Sequence, residues 1–118
     1  MAGLDPAISR AVAPVRAFAH NPQMAGGWVY MTTNRRNGIL YVGVTSNMPK
    51  RAWEHQQGIV PGFTSRYGLK RLVWIGRHAT MPLAIQREKN IKHWPRRWKV
   101  DLITATNPDW RDLYEQVL

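Results

Sequence analysis

WVYMTTNRRNGILYVGVTSNMPKRAWEH, Trp28 to His55, decides how the rest of the chain is read. Two apolar runs, WVYMTT and GILYVGVT, each carry a tyrosine and flank a polar knot whose Asn34–Gly38 segment has turn chemistry. β-Branched and aromatic residues suit a pleated, half-buried surface, so the pattern predicts an antiparallel hairpin. A helix is expected next, capped by Ser46 or Asn47, with Pro49 in its first turn and Gly58 at its end. The stretch therefore sets Tyr30 and Tyr41 on adjacent strands and Arg51 and His55 one helical turn apart.

Downstream, GIVPGFTSRYG reads as a loop punctuated by Pro61, Gly62 and Gly68. LKRLVWIGRH supplies a third strand centred on Leu72 to Ile75. Thr80 and Pro82 open a second helix that runs to about Trp94, where Pro95 stops it. RRWKVDLITAT makes a third, short helix, and Asn107–Pro108 signals a last one with Trp110, Leu113 and Val117 as its apolar stripe. The expected fold class is α+β within the broad α/β group: a small three-stranded antiparallel sheet flanked by helices. Residues 26–118 form the domain, and the Ala-, Pro- and Gly-rich residues 1–25 read as a flexible tail. A secretory signal is rejected there, because the apolar stretch before the cleavage-like AFA is short and broken by Pro14; Met24 offers an alternative start.

Composition narrows the function. The 118 residues suffice for one domain. Absence of cysteine removes disulfides, zinc–thiolate sites and Cys nucleophiles, and fits a cytoplasmic location. No apolar run approaches the ~20 residues that a membrane span needs. Seventeen Lys and Arg against seven Asp and Glu give a net charge of +10, which predicts attraction to a polyanion, most simply nucleic acid. The cations alternate with aromatics, as in KRAWEH, RYGLKRLVW and KHWPRRWK, so phosphate neutralisation and base stacking are both available.

Two polar residues interrupt apolar stripes. Met48, Ala52, His55 and Ile59 share one helical face bordered by Arg51. Ile85, Glu88 and Ile91 share another, with Ala84 and Lys92 beside them. His55 is either a hydrogen-bonded core histidine or a catalytic group, and Glu88 either an i,i+4 partner of Lys92 or a metal ligand. Acids are scarce, so no paired-carboxylate cluster for two metals exists; Glu54 is expected on the other side of its helix. Within the sheet-and-helix core, Glu88 is the carboxylate available to a hard divalent ion.

WVY, ten intervening residues, YVG, an Arg eight residues after Gly43, then His55 and a later helical Glu together resemble the GIY-YIG nuclease domain over roughly residues 26–107. The departures are Trp28, Val29 and Val42; the two aliphatic changes preserve a strand. The resemblance implies an endonuclease that hydrolyses phosphodiester bonds in DNA with Mg²⁺ or Mn²⁺, in structure-specific cleavage or DNA repair. Junctions, flaps, single strands, damaged duplex and RNA are all left open. It implies Tyr30 and Tyr41 as the catalytic tyrosines, Arg51 as the catalytic arginine, His55 as the nearby histidine and Glu88 as the metal ligand. Asn107 matches the asparagine near the domain's end, with a helix N-cap before Pro108 as the alternative. Arg66, Lys70, Arg71, Arg87, Lys89, Arg96 and Arg97 are the expected contacts to the flanking backbone. The competing readings are a non-catalytic nucleic-acid-binding module and an adaptor that docks a partner on exposed tryptophans.

Overall fold

The computed structural model describes residues 26–59 and 62–117; the segment 1–25, expected as a tail, lies outside the described residues. Three strands form one sheet in the order β2-β1-β3, with β1 (Gly27–Thr33) central and antiparallel to both β2 (Leu40–Thr45) and β3 (Arg71–His78). β1 takes the middle because its two faces are both apolar enough to be covered: Val29 and Met31 are buried on one, Tyr30 and Thr32 on the other. The β1–β2 turn is held from within, as the Asn34 side chain accepts from the Ile39 amide at 3.0 Å and the Gly38 amide donates to the Arg35 carbonyl at 2.9 Å.

Helices cover both faces, so the α+β architecture is that of the sequence reading. α1 (Met48–Gln57) lies over the Tyr30 face, where Met48 and Ala52 pack with Tyr30, Leu72 and Val117. α3 (Met81–Lys92) and α4 (Arg96–Thr106) cover the other, where Ala84, Ile91 and Ile103 join Val29, Met31, Val42 and Val73. Fully burying an aliphatic side chain of this size contributes about 1.5–3 kcal/mol, so the two clusters hold the sheet between the helices. The caps are local and follow the sequence: the Asn47 side chain accepts from the Lys50 amide and that of Thr80 from the Leu83 amide. Gly58 turns the chain out of α1 at φ 75°, a left-handed conformation that suits glycine.

The structure corrects four details. The expected loop after Gly58 contains a short helix, α2 (Phe63–Tyr67). Ile59 falls beyond the α1 cap and is exposed, so the buried α1 face is Met48, Ala52 and His55. α3 stops at Lys92, and its buried stripe is Ala84, Glu88 and Ile91, with Ile85 at the exposed margin.

The fourth correction is the C-terminus. No helix starts at Pro108. The chain turns through Trp110, at φ 54°, and ends in a 3₁₀ turn, Tyr114–Val117. The reason is the open edge of β3. The Leu113 amide donates to the Leu72 carbonyl at 2.7 Å, and the Leu72 amide donates to the Asp112 carboxylate at 3.1 Å. Pairing an otherwise unsatisfied strand edge outweighs a local helix-start signal.

Candidate active site

Register builds the site. Tyr30 pairs with Gly43, and Thr32 with Tyr41, so both phenols stand on the face that α1 covers. Gly43 is required by space: a Cβ there would lie 2.4 Å from both Cζ and the hydroxyl of Tyr30. The missing side chain lets the Tyr30 ring lie across β2 and reach towards α1. There its hydroxyl meets His55 Nε2 at 2.9 Å, a bond buried between strand and helix. Tyr41 completes an aromatic triangle, its ring centroid 6.3 Å from Tyr30 and 5.9 Å from His55.

Burial alters both members of the hydrogen bond. Desolvation, reinforced by Tyr41, pushes the Tyr30 phenol well above its ordinary value; Arg51 opposes this, and Glu54 and Glu88 add to it. Desolvation, and then the Arg51 charge, lower His55 to about 4. At neutral pH the pair is a neutral phenol against a neutral imidazole. The Nδ1 atom of His55 is buried without a hydrogen-bond partner. Such an atom is costly to keep, and it leaves the ring held through Nε2 alone.

Charged groups surround the triangle. Arg51 is half exposed and its Nε lies 3.4 Å from Glu54, which shares its helix turn. Glu54, expected on the other side of α1, is thus drawn to Arg51 at the border of the site, and its charge adds a small part to the upward push on the Tyr30 phenol. Glu88 is buried on α3, and its carboxylate holds Lys92 Nζ at 2.7 Å. The same ammonium lies 5.9 Å from the Tyr41 ring centroid. Tyr30, Tyr41, Arg51, His55 and Glu88, selected from sequence, are thus linked by contact or by charge. Gly43, Glu54 and Lys92 join them. Sequence reasoning gave Gly43 no spatial role and Lys92 only an ion pair, because register and cross-element distances decide both.

Asn107 is placed elsewhere. Its side-chain NH₂ donates to the Val73 carbonyl at 3.1 Å and to the Arg111 carbonyl at 2.9 Å, and its oxygen accepts from the Arg111 amide at 3.0 Å. It caps the C-terminus of α4 and clamps the last segment to β3. The carboxamide is consumed by backbone, so neither the catalytic assignment nor the N-cap alternative describes it.

The basic residues divide similarly. Arg71 donates to the Trp110 carbonyl at 3.1 Å, and Arg96 to the Asn37 and Gly38 carbonyls at 2.9 and 2.7 Å. Both hold distant chain segments together. Arg87 lies 5.1 Å over the Trp94 ring. Arg66, Lys70, Lys89 and Arg97 are exposed, with side chains available to a polyanion.

For a metal, the donor set is narrow. Among the described residues no group of three or more His, Asp and Glu side chains could enclose an ion. One buried carboxylate nevertheless fits Mg²⁺ or Mn²⁺, hard ions that keep several waters and take further oxygens from a substrate phosphate. Glu88 is that carboxylate. No helix among the described residues is long and apolar enough to cross a membrane.

Among solved structures, the chain is similar to the UPF0213 protein BH0048 from Bacillus halodurans, determined by solution NMR. The two share 25% identity over 75% of this chain and 94% of that one, with a TM-score of 0.47. No curated protein matches it. The family model described as the GIY-YIG catalytic domain matches residues 26–101 and stops short of Asn107. A match that runs from the first strand into α4 takes in the whole sheet and the helices on both its faces, and this chain belongs to the GIY-YIG family, with its nuclease-type fold.

Proposed function

We propose that the protein is a divalent-metal-dependent endonuclease that hydrolyses phosphodiester bonds in DNA. The observation that carries this reading is the buried Tyr30–His55 hydrogen bond, with Tyr41 against both rings and the charges of Arg51 and Glu88 acting on the phenol. A structural tyrosine needs none of that company.

Hydrolysis requires a deprotonated water, a neutralised pentacovalent transition state and a stabilised leaving oxygen. Tyr30 alone is a poor base at neutral pH, because burial keeps it protonated. His55 is neutral, and its Nε2 lies within proton-transfer distance of the phenol. In the proposed relay the phenol oxygen takes a proton from the attacking water while the phenol proton passes to Nε2. The water oxygen then bonds to phosphorus, and the bond from phosphorus to the leaving oxygen breaks. The imidazolium so formed is disfavoured in the free protein, and the negative substrate phosphate relieves that penalty. The base therefore strengthens once substrate is seated.

Arg51 supplies a planar fork for the scissile phosphate. Its Nε is engaged by Glu54, which leaves the terminal nitrogens as donors. Tyr41 orients water or phosphate through its hydroxyl. Glu88 would hold the divalent ion. Bound there, the ion supplies Lewis-acid stabilisation of the transition-state charge and of the leaving group.

The test is cleavage of a labelled panel of duplex, single strand, flap and four-way junction with Mg²⁺, Mn²⁺ or EDTA. Wild type is compared with Tyr30→Phe, Glu88→Ala and Gly43→Ala. Cleavage is expected to vanish in EDTA and to fall by about 10²-fold or more in each variant. Gly43→Ala is included because it displaces the phenol without removing a functional group. Cleavage that survives EDTA and all three substitutions would refute the mechanism. Binding without cleavage of any substrate would favour a non-catalytic module.

A further inference from the structure

Glu88 and Lys92 stand four residues apart on one helix, and such pairs are common on solvated surfaces. This one is unusual in two respects. The Glu88 side chain is only 11% exposed, while that of Lys92 is 46% exposed, so a movable cation sits on a fixed, buried carboxylate. The ammonium also lies 5.9 Å from the ring of Tyr41, which belongs to another element and to the aromatic triangle. Lys92 thus touches the carboxylate that would hold the ion and lies near the ring of Tyr41, one of the tyrosines that would meet the phosphate.

We propose that Lys92 is the resident counter-ion of Glu88 in the nucleic-acid-free protein, and that it makes occupation of Glu88 by a divalent ion depend on substrate. The proposal rests on Glu88 being the metal ligand. A bare buried carboxylate would repel a phosphate and carry a desolvation cost; the Lys92 ammonium offsets both. A divalent ion must displace that ammonium, and since no group of three or more His, Asp and Glu side chains among the described residues surrounds Glu88, the gain from doing so is small. Nucleic acid changes the balance. A substrate phosphate gives the ion a second anionic ligand, and it gives the displaced ammonium a new partner beside Tyr41. Lys92 needs to move only a short way, because its half-exposed ammonium already lies near the Tyr41 ring while it pairs with Glu88. The result is positive coupling between phosphate and ion, with Lys92 as a positioning residue that carries part of it.

The experiment measures Mn²⁺ binding by paramagnetic resonance, which reads occupancy without cleavage. All proteins carry Tyr30→Phe so that an added single-stranded oligonucleotide stays intact. Without oligonucleotide, Lys92→Met is expected to bind Mn²⁺ about three- to tenfold more tightly than the lysine form, as loss of a competing ion pair requires. Lys92→Arg keeps the weak binding, and Glu88→Gln abolishes the tight binding in the Lys92→Met background. Oligonucleotide strengthens Mn²⁺ binding more in the lysine form than in Lys92→Met. Equal or weaker Mn²⁺ binding in Lys92→Met, with Glu88→Gln still abolishing it, overturns the role of Lys92 and leaves Glu88 as the ligand. Tight binding that survives Glu88→Gln overturns both assignments. Lys92 is half exposed, so its replacement leaves the core intact, and a matching thermal midpoint verifies that.

Discussion

His55 is the residue whose chemistry the fold alters most. It is buried on an apolar helix face beside Arg51, and its pKa falls from the ordinary 6.5 to about 4. Between those values the unfolded chain carries a proton on this histidine and the folded chain does not. Stability from this group is therefore full above pH 6.5 and is lost as the pH falls towards 4. By pH 4.5 the loss is roughly 2–3 kcal/mol, since one pKa unit corresponds to ~1.4 kcal/mol. Urea unfolding of wild type and His55→Gln at pH 7 and pH 4.5 measures it. The free-energy gap between the two proteins should shift by that amount in favour of the variant at low pH; a constant gap would show that His55 is not held neutral by the fold. The helical stripe was enough to mark His55 as a polar residue in a core position. It could not show that the hydroxyl of Tyr30 is the partner, because that contact depends on strand register and on the space left by Gly43.

At the scale of elements, the readable parts were those with local causes. The caps at Asn47 and Thr80, the left-handed exit at Gly58 and the hairpin turn all follow from nearby residues. The C-terminal segment did not, because its cause is remote: β3 has an open edge, and Asn107, Asp112 and Leu113 fill it. Asn107 thus stabilises an element and stands apart from the chemistry. Asn107→Ala removes three hydrogen bonds to backbone groups and strands buried partners, so a loss of about 1–3 kcal/mol is expected. Cleavage per folded molecule should stay within a fewfold of wild type, measured below the variant's melting transition. A Tyr30→Phe-sized loss of turnover in a protein of unchanged stability would instead return Asn107 to the catalytic group.

For the whole molecule, the net charge of +10 favours a polyanionic partner whatever the fold. Charge counting could not say which cations are free to meet it, since Arg71 and Arg96 resemble Arg66 and Arg97 in sequence. The fold separates them by their bonding: Arg71 and Arg96 donate to carbonyls of distant segments, whereas the exposed Arg66 and Arg97 side chains hold no distant carbonyl. Each cation that neutralises a phosphate releases condensed counter-ions, so it steepens the fall of affinity with salt by about 0.9 on logarithmic axes for duplex and about 0.7 for single strands. DNA binding measured from 50 to 300 mM salt, with EDTA present to prevent cleavage, should therefore distinguish the two classes. Arg66→Ala and Arg97→Ala are expected to make the salt dependence shallower by nearly one unit each and to leave the thermal midpoint unchanged. Arg96→Ala should lower the midpoint, because it frees the Asn34–Gly38 turn from α4, and should change the salt slope less. If all three variants kept the wild-type slope, the positive charge would be acting as a diffuse field that raises encounter rates, and the backbone-contact assignment of Arg66 and Arg97 would fall.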